Sequence, residues 1–180
     1  GKQVFAARKA TLVDGKWQYG AKNIVLRGNE SSWDKNIYNP SIIKGNFSYQ
    51  GTTYNYLMAY NGNANGDVNN HIGLAVTNDI LSEWVRVGSR PILENPEIYE
   101  DSYGCGSPSL VSYDRGGKGY IFYAVGETQV SFEAVKTYDF SNLDNPVLEE
   151  GYASLPVNGI TDKVEGFPVI MDAGFALSND

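Results

Sequence analysis

The sequence predicts an all-β fold assembled from repeated four-stranded units, and three observations predict it. One phrase occurs twice: Asn39-Pro40-Ser41-Ile42-Ile43, then the aromatic run Tyr54–Tyr60, then His71–Asp79; and Ser107-Pro108-Ser109-Leu110-Val111, then Gly119–Val125, then Phe132–Asp139. Pro40 and Pro108 stand 68 positions apart, and self-similarity at a fixed spacing marks one supersecondary unit used several times. The apolar runs are short, rich in aromatic and β-branched residues, and bounded by Gly and Asn clusters, which are strand signals. No segment carries a convincing helical stripe.

Taken in order, residues 3–6, 16–19 and 23–26 read as outer strands of an earlier unit. The first complete unit reads as strands 40–44, 53–60, 71–77 and 84–87, within boundaries of about 40–93. The stretch Asn61-Gly62-Asn63-Ala64-Asn65-Gly66-Asp67 reads as an irregular loop, because Asn and Gly favour turns. The second unit, about 104–152, reads as strands 108–113, 119–125 and 131–138 with a weaker fourth near 147–152; residues 114–119 form its hairpin tip. One short turn is expected over 139–145, capped by Asp139 or Ser141. A third unit begins near residue 165, at Phe167-Pro168-Val169-Ile170-Met171.

Four-stranded antiparallel units repeated around an axis describe a β-propeller. A β-sandwich also explains many short strands, but not the repeated phrase. Two full units and parts of two others are too few for a ring of roughly four to eight blades. We therefore expect a portion of a larger propeller, or closure by another copy or a missing chain. Sheet edges left open are otherwise a liability.

Composition narrows the function classes. A chain of 180 residues holds a sizeable core, and its 20 Gly and 13 Tyr suit short strands joined by tight turns. The net charge of −7 argues against nucleic acid as a partner, since phosphate binding needs clustered Lys and Arg. No apolar run approaches the ~20 residues that span a bilayer as a helix. Cys105 stands alone between Gly104 and Gly106, so no intrachain disulfide forms; it reads as a small residue in a turn. The chain starts at Gly1, which a cleaved tag or a mature secreted terminus would explain. Its Tyr, Asn and Gly richness fits an exported bacterial protein, extracellular or in the periplasm or cell envelope. No cofactor is expected. A central calcium ion lacks support, because the Asn61-x-Asn63-x-Asn65-Gly66 echo of a calcium loop has few carboxylates.

The phrases Asn39-Pro40-Ser41-Ile42-Ile43, Tyr56-Leu57-Met58-Ala59-Tyr60 and Ile72-Gly73-Leu74-Ala75-Val76-Thr77-Asn78-Asp79, running on to Trp84, resemble the five-bladed propeller glycoside hydrolases of family 43 and the family 32 type. The resemblance covers residues 37–93 well and 104–145 more loosely. It implies a central cleft where carbohydrate binds and O-glycosyl bonds are hydrolysed. It also implies three carboxylates: an Asp opening one blade, an Asp opening the next, and a Glu acting as general acid. One must be ionised and another protonated, and their separation sets the stereochemical outcome.

Carried over by position, the first two sites fall on Asn39 and Ser107, neither of which is a carboxylate. The third falls on Glu165, in Val164-Glu165-Gly166-Phe167-Pro168, with an inserted Phe167. Asp34, just before the first inner strand, is a candidate to replace the missing base; the alternative is a loop Asp that caps a turn or pairs with Lys35. Glu127, after a strand, is a candidate at the cleft or an exposed turn residue. Asp172 flanks the third inner strand. Trp33, Tyr38 and Tyr103 precede inner strands, where their rings would stack on sugars or fill the core between units. Trp84 reads as core and Trp17 as outer-strand packing. His71, the only histidine, is a substrate hydrogen-bond partner, an ion ligand or a hydrogen-bonded loop-end residue. Three readings follow: a glycoside hydrolase, a propeller that binds glycan without catalysis, and a protein-interaction propeller.

Overall fold

The computed structural model describes residues 3–64, 69–94, 102–112, 118–127 and 130–148. The described residues form twelve strands and no helix. The third unit, from about residue 165, and the tip 114–117 lie outside them.

The central sheet is an antiparallel meander of β5 (Asn36–Tyr49), β6 (Thr52–Asn63), β7 (His71–Thr77) and β8 (Val85–Arg86). The next sheet has the same order, with β9 (Ser102–Ser112), β10 (Lys118–Glu127), β11 (Val130–Asp139) and β12 (Val147–Leu148). Ahead of both, β1 (Val4–Ala7) pairs with β4 (Asn23–Arg27), and β2 (Ala10–Val13) pairs with β3 (Lys16–Tyr19) in a separate hairpin.

Alternation along β6 places the central sheet between its neighbours. Met58 and Tyr60 point to one face, with Ala75 and Trp84, where they meet Val25 and Leu26 of β4. Leu57 and Ala59 point to the other, with Ile72, Leu74 and Val76, where they meet Cys105, Leu110 and Ile121 of the following sheet. A strand buried on both faces reads as a continuous apolar run rather than an alternating one. That is why Ile72–Val76 shows no polar positions, and all of it is buried.

The repeated Pro-Ser phrase has a structural counterpart. Tyr38 pairs with Asn61 and Ser41 with Ala59, so Asn39 and Pro40 together oppose one residue of β6. Gly106 pairs with Ala124 and Ser109 with Phe122, so Ser107 and Pro108 do the same against β10. Each inner strand therefore carries a β-bulge at the phrase. Asn39 (φ 48°) and Ser107 (φ 52°) both sit in the left-handed region, which Asn tolerates better than Ser.

Four expectations are corrected. Asn61, Gly62 and Asn63 are the last residues of β6, not a loop, and they are buried. Cys105 lies inside β9, buried, rather than in a turn; Gly104 beside it takes φ 82° and lies against Asn70, where a Cβ would come 2.4 Å from the Asn70 carbonyl oxygen. Trp17 packs under no other sheet and is 60% exposed, because its hairpin stands apart. The acid at position 34 pairs with Arg86, not with its chain neighbour Lys35. The turn after β11 is built from Asx contacts: Asp139 Oδ1 accepts from the Ser141 amide at 2.9 Å, and Asn142 Oδ1 from the Asp144 amide at 3.1 Å.

Candidate functional site

The candidate residues fall into two groups, one on each face of the central sheet. The first lies where β5 meets β9. The bulges bring Asn39 and Ser107 side by side, and Asn39 Nδ2 donates to Ser107 Oγ at 3.3 Å. Both residues are exposed. Two residues further on, Ser41 Oγ accepts from the Leu110 amide at 2.9 Å, joining the strands through the Ser of the first phrase. Tyr38, half-buried, adjoins this pair on β5.

The central sheet also carries a row of amides, half-buried at Asn36 and buried at Asn61, Asn63 and Asn70. Asn36 Nδ2 donates to Asn63 Oδ1 at 3.1 Å, and Asn63 Nδ2 to Asn70 Oδ1 at 2.8 Å. The Asn61 amide sits 3.0 Å from Asn70 Oδ1, with the carbonyls of Cys105 and His71 each within 3.3 Å. The Asn70 carbonyl in turn accepts from the Cys105 amide at 2.8 Å. A buried polar group without a partner is costly, so these residues are stable inside only as a mutually satisfied set. The Asn61 side chain and the Asn70 carbonyl join this row to Cys105 of the following sheet.

The second group lies on the opposite face. The Trp33 ring stacks on Tyr60 with centroids 5.9 Å apart, and His71 meets Trp33 edge-on at 6.0 Å. Glycines form the floor under the indole: a Cβ on Gly62 would come 2.5 Å, and one on Gly73 2.4 Å, from Trp33 carbons. Asp34 is 1% exposed. Its Oδ2 accepts from Tyr60 Oη at 3.0 Å and from Arg86 Nε at 2.6 Å, and Arg86 Nη2 also donates to the Arg27 carbonyl. The Asp34–Arg86 pair thus ties β6, β8 and β4 together. Among the described residues, Asp34 Oδ1 is the buried side-chain oxygen with no hydrogen-bond partner.

Burial, and then the adjacent Asp34 charge, push the Tyr60 phenol far above its ordinary range, so it stays a neutral donor. Burial holds His71 below the usual histidine range, with the charge of Glu94 partly opposing the shift. This shift favours the neutral imidazole.

Tyr103 belongs to β9 and Glu127 ends β10, but their side chains lie outside the described residues. Glu165 and Asp172 lie outside them altogether. Sequence reasoning did not find Tyr60, Arg86 or the Asn61–Asn63–Asn70 row. Asp34 and Arg86 are 52 positions apart, and no local pattern links them. Among the described residues no cluster of three or more His, Cys, Asp or Glu is placed to hold a metal ion, and no helix is long and apolar enough to cross a membrane.

No protein-family model matches the chain, and no curated protein matches it. Among solved structures, it is similar to one described under the words "the GH130 family of mannoside phosphorylases contains glycoside hydrolases that target beta-1,2 mannosidic linkages in Candida mannan". That likeness has a TM-score of 0.50 at 16% identity and covers 75% of this chain and 40% of the other. A glycosyl hydrolase from Bacteroides ovatus is similar at 21% identity and a TM-score of 0.44, over 64% of this chain and 32% of that one. The chain spans about a third to two-fifths of the length of these relatives. At such identities the likeness is one of fold: this is an all-β, glycoside hydrolase-like fold.

Proposed function

We propose that this chain is part of a carbohydrate-active propeller whose rim, at the Asn39–Ser107 pair, binds an oligo- or polysaccharide without breaking its bonds. The observation that carries the reading is the pair itself. Two neutral side chains from successive sheets occupy the positions where the resemblance puts two carboxylates, and they bond to each other. An amide and a hydroxyl offer donors and acceptors to sugar hydroxyls but cannot supply an ionised base. The bulges hold both groups exposed, and the amide row joins the same two sheets at Cys105.

Within this reading the ring has five blades of the family 43 and family 32 type, completed by further chain or by another copy. The protein works outside the cytoplasm of a bacterium. The glycoside hydrolase-like fold supports carbohydrate over a protein partner.

Hydrolysis is the second reading, favoured by that same fold and by the unpartnered oxygen of Asp34. Its carboxylates would be Asp34 and Glu165. Binding to a glycan array, followed by titration of the best ligand, tests the first reading. Asn39→Ala and Ser107→Ala should each weaken binding about three- to tenfold, the loss of one or two hydrogen bonds. Undiminished affinity in both would overturn it, and no binding to any glycan would favour the protein-interaction propeller. Turnover of aryl-glycosides that disappears in a folded Glu165→Gln variant would establish hydrolysis instead.

A further inference from the structure

The hairpin β2–β3 has no part in the rim, and both of its faces are exposed; the aromatic side chains gather on one of them. Asp14 (φ 49°) and Gly15 (φ 73°) form its two-residue turn, the type I′ geometry that suits a tight, twisted ribbon. Leu12 pairs with Trp17 and Ala10 with Tyr19, so these four side chains share one face. Leu12 is 57% exposed, Trp17 60% and Tyr19 58%. A two-stranded ribbon is at best marginally stable alone, and large exposed aromatics grouped on one face mark an interaction site.

One cation stands on this face, and the hairpin and its flanks are basic in sequence. The Arg8 guanidinium lies 4.1 Å from the centre of the Tyr19 ring. Residues 3–27 carry five Lys or Arg (Arg8, Lys9, Lys16, Lys22 and Arg27) against one acid, Asp14, in a chain whose net charge is −7. The stretch that displays the aromatic face is thus net basic within an acidic chain. We infer that this face is a second carbohydrate site, separate from the rim, that takes an anionic sugar bearing a carboxylate or a sulfate. Trp17 and Tyr19 offer flat rings to the C–H face of a pyranose. Arg8 offers a planar fork that matches a carboxylate or sulfate. A membrane surface fits less well: the ribbon would enter lipid by its tip, and the tip carries Asp14.

The test is affinity electrophoresis of the full chain through gels containing polygalacturonate, dextran sulfate or neutral dextran, with flotation on anionic phospholipid vesicles alongside. At least one anionic polymer should retard the chain and neutral dextran should not; which polymer does so distinguishes uronate from sulfate. Trp17→Ala/Tyr19→Ala, and separately Arg8→Gln, should weaken retardation about tenfold, with circular dichroism unchanged. Neither set of substitutions touches the rim, so glycan binding at the rim, measured in parallel on the same variants, keeps failure here and failure of the rim reading distinguishable. The inference is overturned by equal retardation in dextran, by no retardation in either anionic polymer, or by retardation that survives both sets of substitutions. It is also overturned by vesicle binding lost in the aromatic variant, or by a dimer that the same variant dissociates.

Discussion

The two faces of the central sheet treat polar chemistry in opposite ways. Toward β9, the exposed Asn39–Ser107 pair is neutral, and so is the buried Asn61–Asn63–Asn70 row. Toward β4, the buried Asp34 is paired with Arg86 and bonded to Tyr60. At the first two positions where the resemblance asks for carboxylates, Asn39 and Ser107, there is none, and Asp34, the acid nearest to Asn39 in sequence, is engaged in holding sheets together. An acid before an inner strand therefore need not face the cleft, and a charged group inside this fold can be a structural tie.

Breaking that tie should have the largest effect. Arg86→Met leaves Asp34 buried with its charge uncompensated, and should cost about 2–3 kcal/mol in urea unfolding; Arg86 is partly exposed, which lowers the figure from the usual cost for buried pairs. A variant as stable as the wild type would mean that the pair is not a tie. Gly104→Ala comes next. The new Cβ would meet the Asn70 backbone at a positive φ, and about 1–3 kcal/mol should be lost, with the amide row disturbed. If its thermal midpoint matches the wild type, the two sheets do not depend on that approach.

The pH dependence of His71 is smaller. Its folded pKa lies below the unfolded value near 6.5, so below that pH the unfolded chain binds more protons and stability falls as pH falls. The drop in urea midpoint between pH 7.5 and 5.5 should shrink in His71→Gln, and an equal drop in both proteins would assign the effect elsewhere. The smallest effect on stability is expected at the exposed pair: Ser107→Ala should move the midpoint little while weakening glycan binding. That contrast between stability and affinity sharpens the comparison most directly.

The sheets were legible because their cause is local. Aromatic and β-branched runs with Gly and Asn punctuation select strands, and the repeated phrase marks the same bulge twice. The strand 10–13 was missed, since Ala10-Thr11-Leu12-Val13 is short and buries nothing. Asn61-Gly62-Asn63 was misread because the propensity of Asn and Gly for turns is a local property, whereas their burial depends on Asn70 and Asn36 supplying partners. The site was legible only in part. The spacing of Asn39 and Ser107 announced equivalent positions, but their mutual hydrogen bond needs the packing of β5 on β9. The pairing of Asp34 with Arg86 depends on a contact across sheets that no local sequence pattern encodes.

The bulges have a consequence for self-association. β5 and β9 are long edge strands, of 14 and 11 residues, and a long straight edge is a template on which another chain can add a strand. Pro40 and Pro108 interrupt each edge with a residue that has no N–H, at a kink that breaks the regular spacing of donors and acceptors. Among the described residues, the Pro-Ser phrase thus breaks the ladder pattern on the two longest edge strands, β5 and β9.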